Sequence, residues 1–537
     1  MQNFAITVKD LVHRYPSGAG EALVVDDLTI REGEIVLVTG KSGSGKSTLV
    51  NCINGVIPHL FPGDLEIDQA THQGEVFVHG HPVSKTPLHV LSTIVGTLLQ
   101  DPETQILNYD VEEEIAFGPE NLCLLPDEIN RRVNEAVRVT GIGHLLGKET
   151  YKLSGGELQR VMAAAVLAMT PRVFIFDEPT SNIDPAGTVA LLDLMRTLRG
   201  KTVVIVEHKV ERVLPFVDRV ILMDNGRIVS DVPSASVIER ADEFASYGVE
   251  VPEHYMYAKK IGLASADVGQ VVSEMKKRKM IVAAVSRRTP AETVLRAQLK
   301  VFDGNSSLLD VRIALGKGEI LAVMGRNGAG KSTMLKAIMG VLDRKLRGEV
   351  RLNAFGIELG NAGVAERGRY ITYVPQNFDL TLVSRTVKEE VAYSPKKRGL
   401  KDWRTKVDNL LEMLSLTDQA EQDPLALSFG QRRRVALGSA LASDVRVALL
   451  DEPTSGQDFS HREALGEELT HLAKMGYSFI VVTHDARFVY RHCDRVAVLS
   501  EGRLALDGTP EIVFENSEKY GVPPPTEYSL YRELSRS

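Results

Sequence analysis

Three short strings occur twice, in the same order, along this chain of 537 residues. Gly40-Lys-Ser-Gly-Ser-Gly-Lys-Ser-Thr48 returns as Gly325-Arg-Asn-Gly-Ala-Gly-Lys-Ser-Thr333. Leu153-Ser-Gly-Gly-Glu157 returns as Leu427-Ser-Phe-Gly-Gln431, and Asp177-Glu-Pro-Thr-Ser181 as Asp451-Glu-Pro-Thr-Ser455. A long internal repeat constrains the architecture more than any local pattern, because each copy has to be a folding unit. Lys46 and Lys331 lie 285 residues apart, whereas Ser154 and Ser428, and Asp177 and Asp451, lie 274 apart. The copies therefore run in register except for extra residues in the first, mostly in the stretch 57–70, which shrinks to Leu342–Arg347 in the second.

The repeat extends beyond these strings. Asp218-Arg-Val220 matches Asp494-Arg-Val496, each followed by a strand, a turn (Asn225-Gly226; Glu501-Gly502) and a second strand, a hairpin pattern. Tyr247-Gly-Val249 matches Tyr520-Gly-Val522, with prolines and a short helix expected after each. These matches predict a first domain over 1–262, a linker over 263–293 and a second domain over 294–537. A chain of this length is expected to divide, since single cores rarely grow past about 250–300 residues.

Continuous apolar runs at Ile35–Val38 and Ile320–Val323 lead into the glycine strings. Others, at Val173–Phe176 and Val447–Leu450, end in an acidic pair. Such runs alternating with helical stretches predict an α/β fold: a mostly parallel sheet covered by helices, with an antiparallel part and a helical subdomain carrying the serine-led string.

The glycine strings have the GxxxxGK[ST] spacing of a phosphate cradle. Glycines permit a turn tight enough for backbone N–H groups to converge on phosphate oxygens, and the following helix adds its positive end. The expected nucleotide-binding residues are Gly40, Lys41, Ser42, Gly43, Ser44, Gly45, Lys46, Ser47 and Thr48, and Gly325, Arg326, Asn327, Gly328, Ala329, Gly330, Lys331, Ser332 and Thr333. The two lysines are expected to reach the β and γ phosphates of ATP. Ser47 and Asp177, and Ser332 and Asp451, are expected to hold Mg²⁺. Glu178 and Glu452 are placed to orient and polarise the attacking water, and His208 and His484, at strand ends in register, to contact the γ phosphate. Gln100 and Gln376 follow strand-like runs and enter as metal and nucleotide contacts through the repeat alone. Tyr15 and Phe302 precede the first core strands; stacking on adenine and packing in the core are both open for them.

With these residues in place, the chain is identified as a member of the ABC ATPase family, with two tandem P-loop domains. The resemblance covers nearly all of the chain except the linker, and Leu153–Glu157 is its most specific mark. It implies a signature made of Ser154, Gly155, Gly156 and Glu157, and of Ser428, Phe429, Gly430 and Gln431. It also implies D-loop aspartates Asp184 and Asp458, and head-to-tail pairing in which Lys46 and Glu178 work opposite Ser428, and Lys331 and Glu452 opposite Ser154. Phe429 departs from the usual glycine; its ring either turns away, leaving that site normal, or loosens the approach to the γ phosphate, so both sites are expected to be competent, with the one using Lys331 and Ser154 the faster. Gln100-Asp-Pro-Glu-Thr-Gln-Ile106 and Val111-Glu-Glu-Glu-Ile-Ala-Phe-Gly-Pro-Glu-Asn-Leu122 resemble the energy-coupling factor (ECF) subgroup, as does Asn54-Gly-Val-Ile-Pro-His-Leu60; Gln376-Asn377 and Val387-Lys-Glu-Glu-Val391 follow more loosely. That resemblance implies an importer subunit on the cytoplasmic face of the cell membrane, using Mg²⁺ with ATP. A membrane T component would be its partner, with an S component that captures a vitamin or transition metal.

Composition bounds the alternatives. A net charge of −8 and a short linker, basic only at Lys276–Lys279, disfavour nucleic acid as a partner and the competing reading, a twin ATPase of the ABC-F type acting on ribosomes. The basic run reads first as a solvated helix face or linker and second as a lipid-headgroup contact. Cys52, Cys123 and Cys493 form no CxxC and are expected to be reduced thiols. No apolar run approaches the ~18–20 residues of a membrane span, and no signal peptide is expected at Met1–Phe4.

Overall fold

The computed structural model describes residues 3–15, 20–59, 72–180, 185–282, 285–443 and 445–535. It divides into two compact units between residues 280 and 281, with residues 458–460 grouped with the first.

The first unit has the strands β1 (Phe4–His13), β2 (Leu23–Arg31), β3 (Ile35–Thr39), β4 (His72–Val78), β5 (His81–Pro82), β6 (Val95–Leu98), β7 (Val173–Asp177), β8 (Thr202–Val206), β9 (Arg219–Asp224) and β10 (Arg227–Pro233). They form one sheet in the order β5-β4-β1-β2-β10-β9-β3-β8-β7-β6. The half from β6 to β9 is parallel, and β10 returns antiparallel on β9. β1, β2 and β4 pair antiparallel. In β3, β7 and β8 every residue is buried, as expected of strands covered on both faces. One face carries a core around Leu37, Phe176, Leu191 and Ile205, and the other a core around Val38, Leu49, Ile53 and Val206.

The second unit repeats this order. Its strands are β11 (Thr293–Asp303), β12 (Ser306–Gly316), β13 (Ile320–Met324), β14 (Leu346–Ala354), β15 (Ile357–Glu358), β16 (Ile371–Val374), β17 (Val447–Asp451), β18 (Ser478–Val482), β19 (Arg495–Ser500) and β20 (Arg503–Gly508). They are arranged β15-β14-β11-β12-β20-β19-β13-β18-β17-β16. Register repeats too: β6 aligns Thr97 with Ile175 of β7, and β16 aligns Tyr373 with Leu449 of β17.

In the first unit, helices Val111–Asn121, Pro126–Thr140 and Gly155–Ala168 enclose a small separate core of Val111, Ile115, Val133, Val137 and Val161. Helix Gly155–Ala168 starts in a capping box: the Ser154 hydroxyl accepts from the Glu157 amide, and the Glu157 carboxylate accepts from the Ser154 amide. Ser428 and Gln431 do the same for helix Phe429–Leu441. The stretch expected as a linker holds a helix, Val268–Lys277, capped by Asp267, with Val271, Val272 and Met275 buried. Lys276–Lys279 is exposed at its C-terminal end, where basic side chains favour the helix dipole. Part of the first-copy insertion, residues 60–71, lies outside the described residues.

Candidate functional site

Each glycine string leaves the end of a central buried strand, β3 or β13, and turns into a helix, Lys46–Ile53 or Lys331–Met339. Only glycine fits the start of the turn. At Gly40 φ is 148°, and a Cβ would lie 2.1 Å from the Met223 carbonyl oxygen; at Gly325 φ is 144°, with the Leu499 carbonyl oxygen 2.2 Å away. The lysine closes each loop on itself. Lys46 Nζ donates to the carbonyls of Gly40 at 3.0 Å and Lys41 at 2.9 Å, and Lys331 Nζ to those of Gly325 at 2.9 Å and Arg326 at 3.0 Å. Both lysines are buried. Burial lowers the Lys46 pKa against the opposing pull of Glu178 and Asp177.

The first loop opens on a cavity of about 490 Å³ lined by Tyr15, Glu21, Ser42, Lys46, Thr48 and Glu178, among others. Tyr15 thus borders the cradle; its hydroxyl lies 3.3 Å from Thr48 Oγ1, and its ring stands edge-on to His13. Phe302, half-buried in β11, lies across from Ser307 and Arg347.

Asp177 and Asp451 end β7 and β17 beside the loops. Burial, with help from Glu178, pushes the Asp177 carboxyl up to about 6, against the Ser47 hydroxyl and Lys46. Its Oδ1 is buried with no hydrogen-bond partner. Burial also raises the Asp451 pKa, but both of its oxygens accept bonds, Oδ1 from Ser332 Oγ and Oδ2 from the Tyr373 hydroxyl, each at 3.0 Å. A hydroxyl and a carboxylate beside a phosphate cradle are the hard oxygen donors that a nucleotide-bound Mg²⁺ takes, and the orphaned Asp177 oxygen fits that use.

Glu178 and Glu452 sit one residue further on, both with left-handed backbone, φ 46° and 47°. This is unfavourable for a side chain with a Cβ. The conformation is held by their amides, which donate to the carbonyls of Val206 and Val482 at 2.9 Å. Each carboxylate meets the histidine that follows the neighbouring strand. His208 Nε2 lies 2.8 Å from Glu178 Oε1, and His484 Nε2 lies 3.2 Å from Glu452 Oε1. Burial pushes the Glu178 carboxyl up, but His208 and Lys46 outweigh it and hold the group below the ordinary range.

Gln100 and Gln376 are exposed after β6 and β16. Gln376 lines a cleft with Pro375, Arg433 and Asp451. Ser154, Gly155, Ser428 and Phe429 are exposed at helix starts. The Phe429 ring lies 5.0 Å from that of Phe378 and covers the Arg433 guanidinium at 5.1 Å. Asp458 directly precedes helix Phe459–Lys474; Asp184 lies outside the described residues.

Several supporting residues escaped the sequence reading. The buried carboxylate of Glu114 accepts from the amides of Leu107 and Asn108, and that of Glu390 from Val383 and Ser384, so the segment after each glutamine is pinned to a helix. Thr180 Oγ1 donates to Glu207 at 2.5 Å, and Glu207 accepts from the His208 amide. In the second unit Thr454 and Thr483 stand 2.6 Å apart instead. The 276-residue offset between Glu114 and Glu390 was the available signal.

A family model described as ABC transporter matches residues 25–181 and 308–455. A protein of Saccharolobus solfataricus, named as an ATP-binding protein of an ABC transporter, is 46% identical over 98% of this chain and 98% of its own. A similarly named protein of Sulfurisphaera tokodaii is 43% identical over 95% of this chain and 99% of its own. Among solved structures, one titled RNase-L Inhibitor aligns over 95% of this chain and 92% of its own, with a TM-score of 0.59 and 22% identity. That likeness shows the fold.

Proposed function

Since the chain belongs to the ABC transporter family, as a tandem of two ATP-hydrolysing domains, we propose that it is the energising subunit of an ECF-type importer. It would act peripherally on the cytoplasmic face of the membrane, with a T component as mechanical partner and an S component that captures a vitamin or transition metal. Among the described residues no helix is long and apolar enough to cross a membrane, in keeping with membrane passage through other chains.

The observation that carries this reading is a set of exposed apolar side chains that recurs at matching positions of the two units. Leu107 and Phe117 are 66% and 39% exposed after Gln100, and at the repeat-equivalent positions after Gln376 Val383 and Tyr393 are 69% and 51% exposed. Tyr109 and Leu380, in the same two segments, are also exposed. Exposed apolar side chains on segments pinned by Glu114 and Glu390 suit contacts with partner helices. Their place in the chain, a few residues from Gln100 and Gln376, suits transmission of a change at those glutamines to the partner.

In the mechanism we infer, the backbone amides of Gly40–Thr48 and Gly325–Thr333 bind the phosphates, and Lys46 and Lys331 exchange their loop carbonyls for phosphate oxygens. Ser47 with Asp177, and Ser332 with Asp451, would hold Mg²⁺, which neutralises phosphate charge when bound. Glu178 and Glu452 orient the attacking water, and His208 and His484 fix those carboxylates and face the γ phosphate. The low Glu178 pKa keeps it an acceptor at neutral pH.

Affinity purification from native membranes in mild detergent tests the importer reading. Recovery of a multi-helix membrane protein is expected; recovery of ribosomes with no membrane protein would overturn it.

A further inference from the structure

The two units differ at the magnesium carboxylate, and the difference is one side chain. β16 and β17 are parallel, with Tyr373 opposite Leu449, so Asp451 lies two residues further along the neighbouring strand. Two residues of strand advance about 6.6 Å and return to the same face of the sheet, so only a long side chain at 373 can meet a carboxylate at 451. Tyr373 does: its hydroxyl donates to Asp451 Oδ2 at 3.0 Å. The first unit has the same register, Thr97 opposite Ile175 and Asp177 two residues on, but the short hydroxyl at 97 lies near Asn54 Nδ2 instead, at 3.5 Å. Asp177 Oδ1 is correspondingly buried without a partner.

We propose that Tyr373 is a positioning residue for the second nucleotide site, fixing the Asp451 carboxylate toward the magnesium–nucleotide complex before it binds, and that the first site lacks this device. The proposal rests on the reading that Asp451 helps hold Mg²⁺ there. The Tyr373 ring packs against the core that contains Ile338, Ile371 and Leu449 and so has a fixed place from which to donate. With Ser332 on Oδ1 and Tyr373 on Oδ2, the carboxylate is held at both oxygens, and its rotation about the Cβ–Cγ bond is stopped. A preset ligand costs less ordering when the cation arrives, so the second site should fill at lower Mg²⁺. In the first unit Asp177 Oδ1 has no such restraint.

The test uses the full chain with Lys46→Ala, which leaves the second cradle intact. Binding of a fluorescent ATP analogue is titrated with Mg²⁺, and Mn²⁺ is used as a spectroscopic probe of the bound cation's ligand set. Tyr373→Phe keeps the ring and removes only the donor. It should raise the Mg²⁺ concentration for half-maximal binding about 3–10-fold, the net worth of a typical hydrogen bond, and change the Mn²⁺ signal. Tyr373→Thr should weaken binding at least as much. Thr97→Val in a Lys331→Ala chain should leave the first site's Mg²⁺ dependence unchanged. A shift under about twofold for Tyr373→Phe, the margin below which a lost hydrogen bond would not register, would overturn the inference if Lys331→Ala abolishes the same binding. If Lys331→Ala also leaves binding intact, the site reading itself falls and the inference with it.

Discussion

His208 Nε2 stands 2.8 Å from Glu178 Oε1, joining the ends of two adjacent parallel strands beside the first phosphate cradle. The pairing fixes the carboxylate that we assign to water, so truncating the histidine should cost turnover more than binding. His208→Ala is expected to lower ATP turnover about 10²-fold while leaving Mg·ATP affinity within a few-fold. Steady-state hydrolysis beside equilibrium nucleotide binding checks this. Glu178→Gln and Glu452→Gln, assayed singly, test whether the two sites differ in rate; equal losses would leave that asymmetry without support.

Backbone geometry makes Gly40 irreplaceable. A methyl group there would meet the Met223 carbonyl oxygen at 2.1 Å in a conformation that side chains avoid. Gly40→Ala should destabilise the first unit by about 2–3 kcal/mol and abolish nucleotide binding at that site, with binding at Lys331 retained. Thermal denaturation and binding stoichiometry report the two effects separately.

Arg433 is buried, and its Nε and Nη1 have no hydrogen-bond partner; its guanidinium packs against the rings of Phe378, at 5.4 Å, and Phe429, at 5.1 Å. Burial lowers its pKa to about 9. A cation kept from water without an acid costs more than two ring contacts return. Arg433→Met should raise stability at neutral pH by about 1–2 kcal/mol, read as a higher unfolding temperature.

Glu468, on helix Phe459–Lys474, has Arg434 only at 3.9 Å. Burial pushes its carboxyl up from 4.5 to about 7. The folded protein therefore keeps this proton up to about pH 7, whereas the unfolded chain releases it near 4.5. Stability from this group is full below 4.5 and is lost as pH rises through 7. Glu468→Gln should stabilise the protein at pH 8 by at most about 3 kcal/mol, with the gain gone near pH 4.5. Unfolding temperatures at the two pH values decide it.

The fold was legible because its strongest signals are local and repeated. Val173–Phe176 and Ile35–Val38 are apolar throughout, which a strand covered on both faces requires, and the glycine spacing places the cradle between strand and helix. Residues that act through long-range contacts were not legible. Glu114 and Glu390 read as members of acidic helix starts; burial reveals them as acceptors for amides six or seven residues upstream. Tyr373 looked like any strand aromatic, since its link to Asp451 depends on strand register. The helix Val268–Lys277 was legible only at its basic end, Lys276–Lys279, as a helix face or linker, because its apolar positions, Val271, Val272 and Met275, are few beside that run.

Titrating the purified chain with ATP in the presence and absence of Mg²⁺, and comparing it with a Lys46→Ala, Lys331→Ala double variant, measures the central claim directly. Two magnesium-dependent sites per chain are expected, both lost in the double variant. Nucleotide binding that ignores magnesium, or that survives when both lysines are gone, would contradict it.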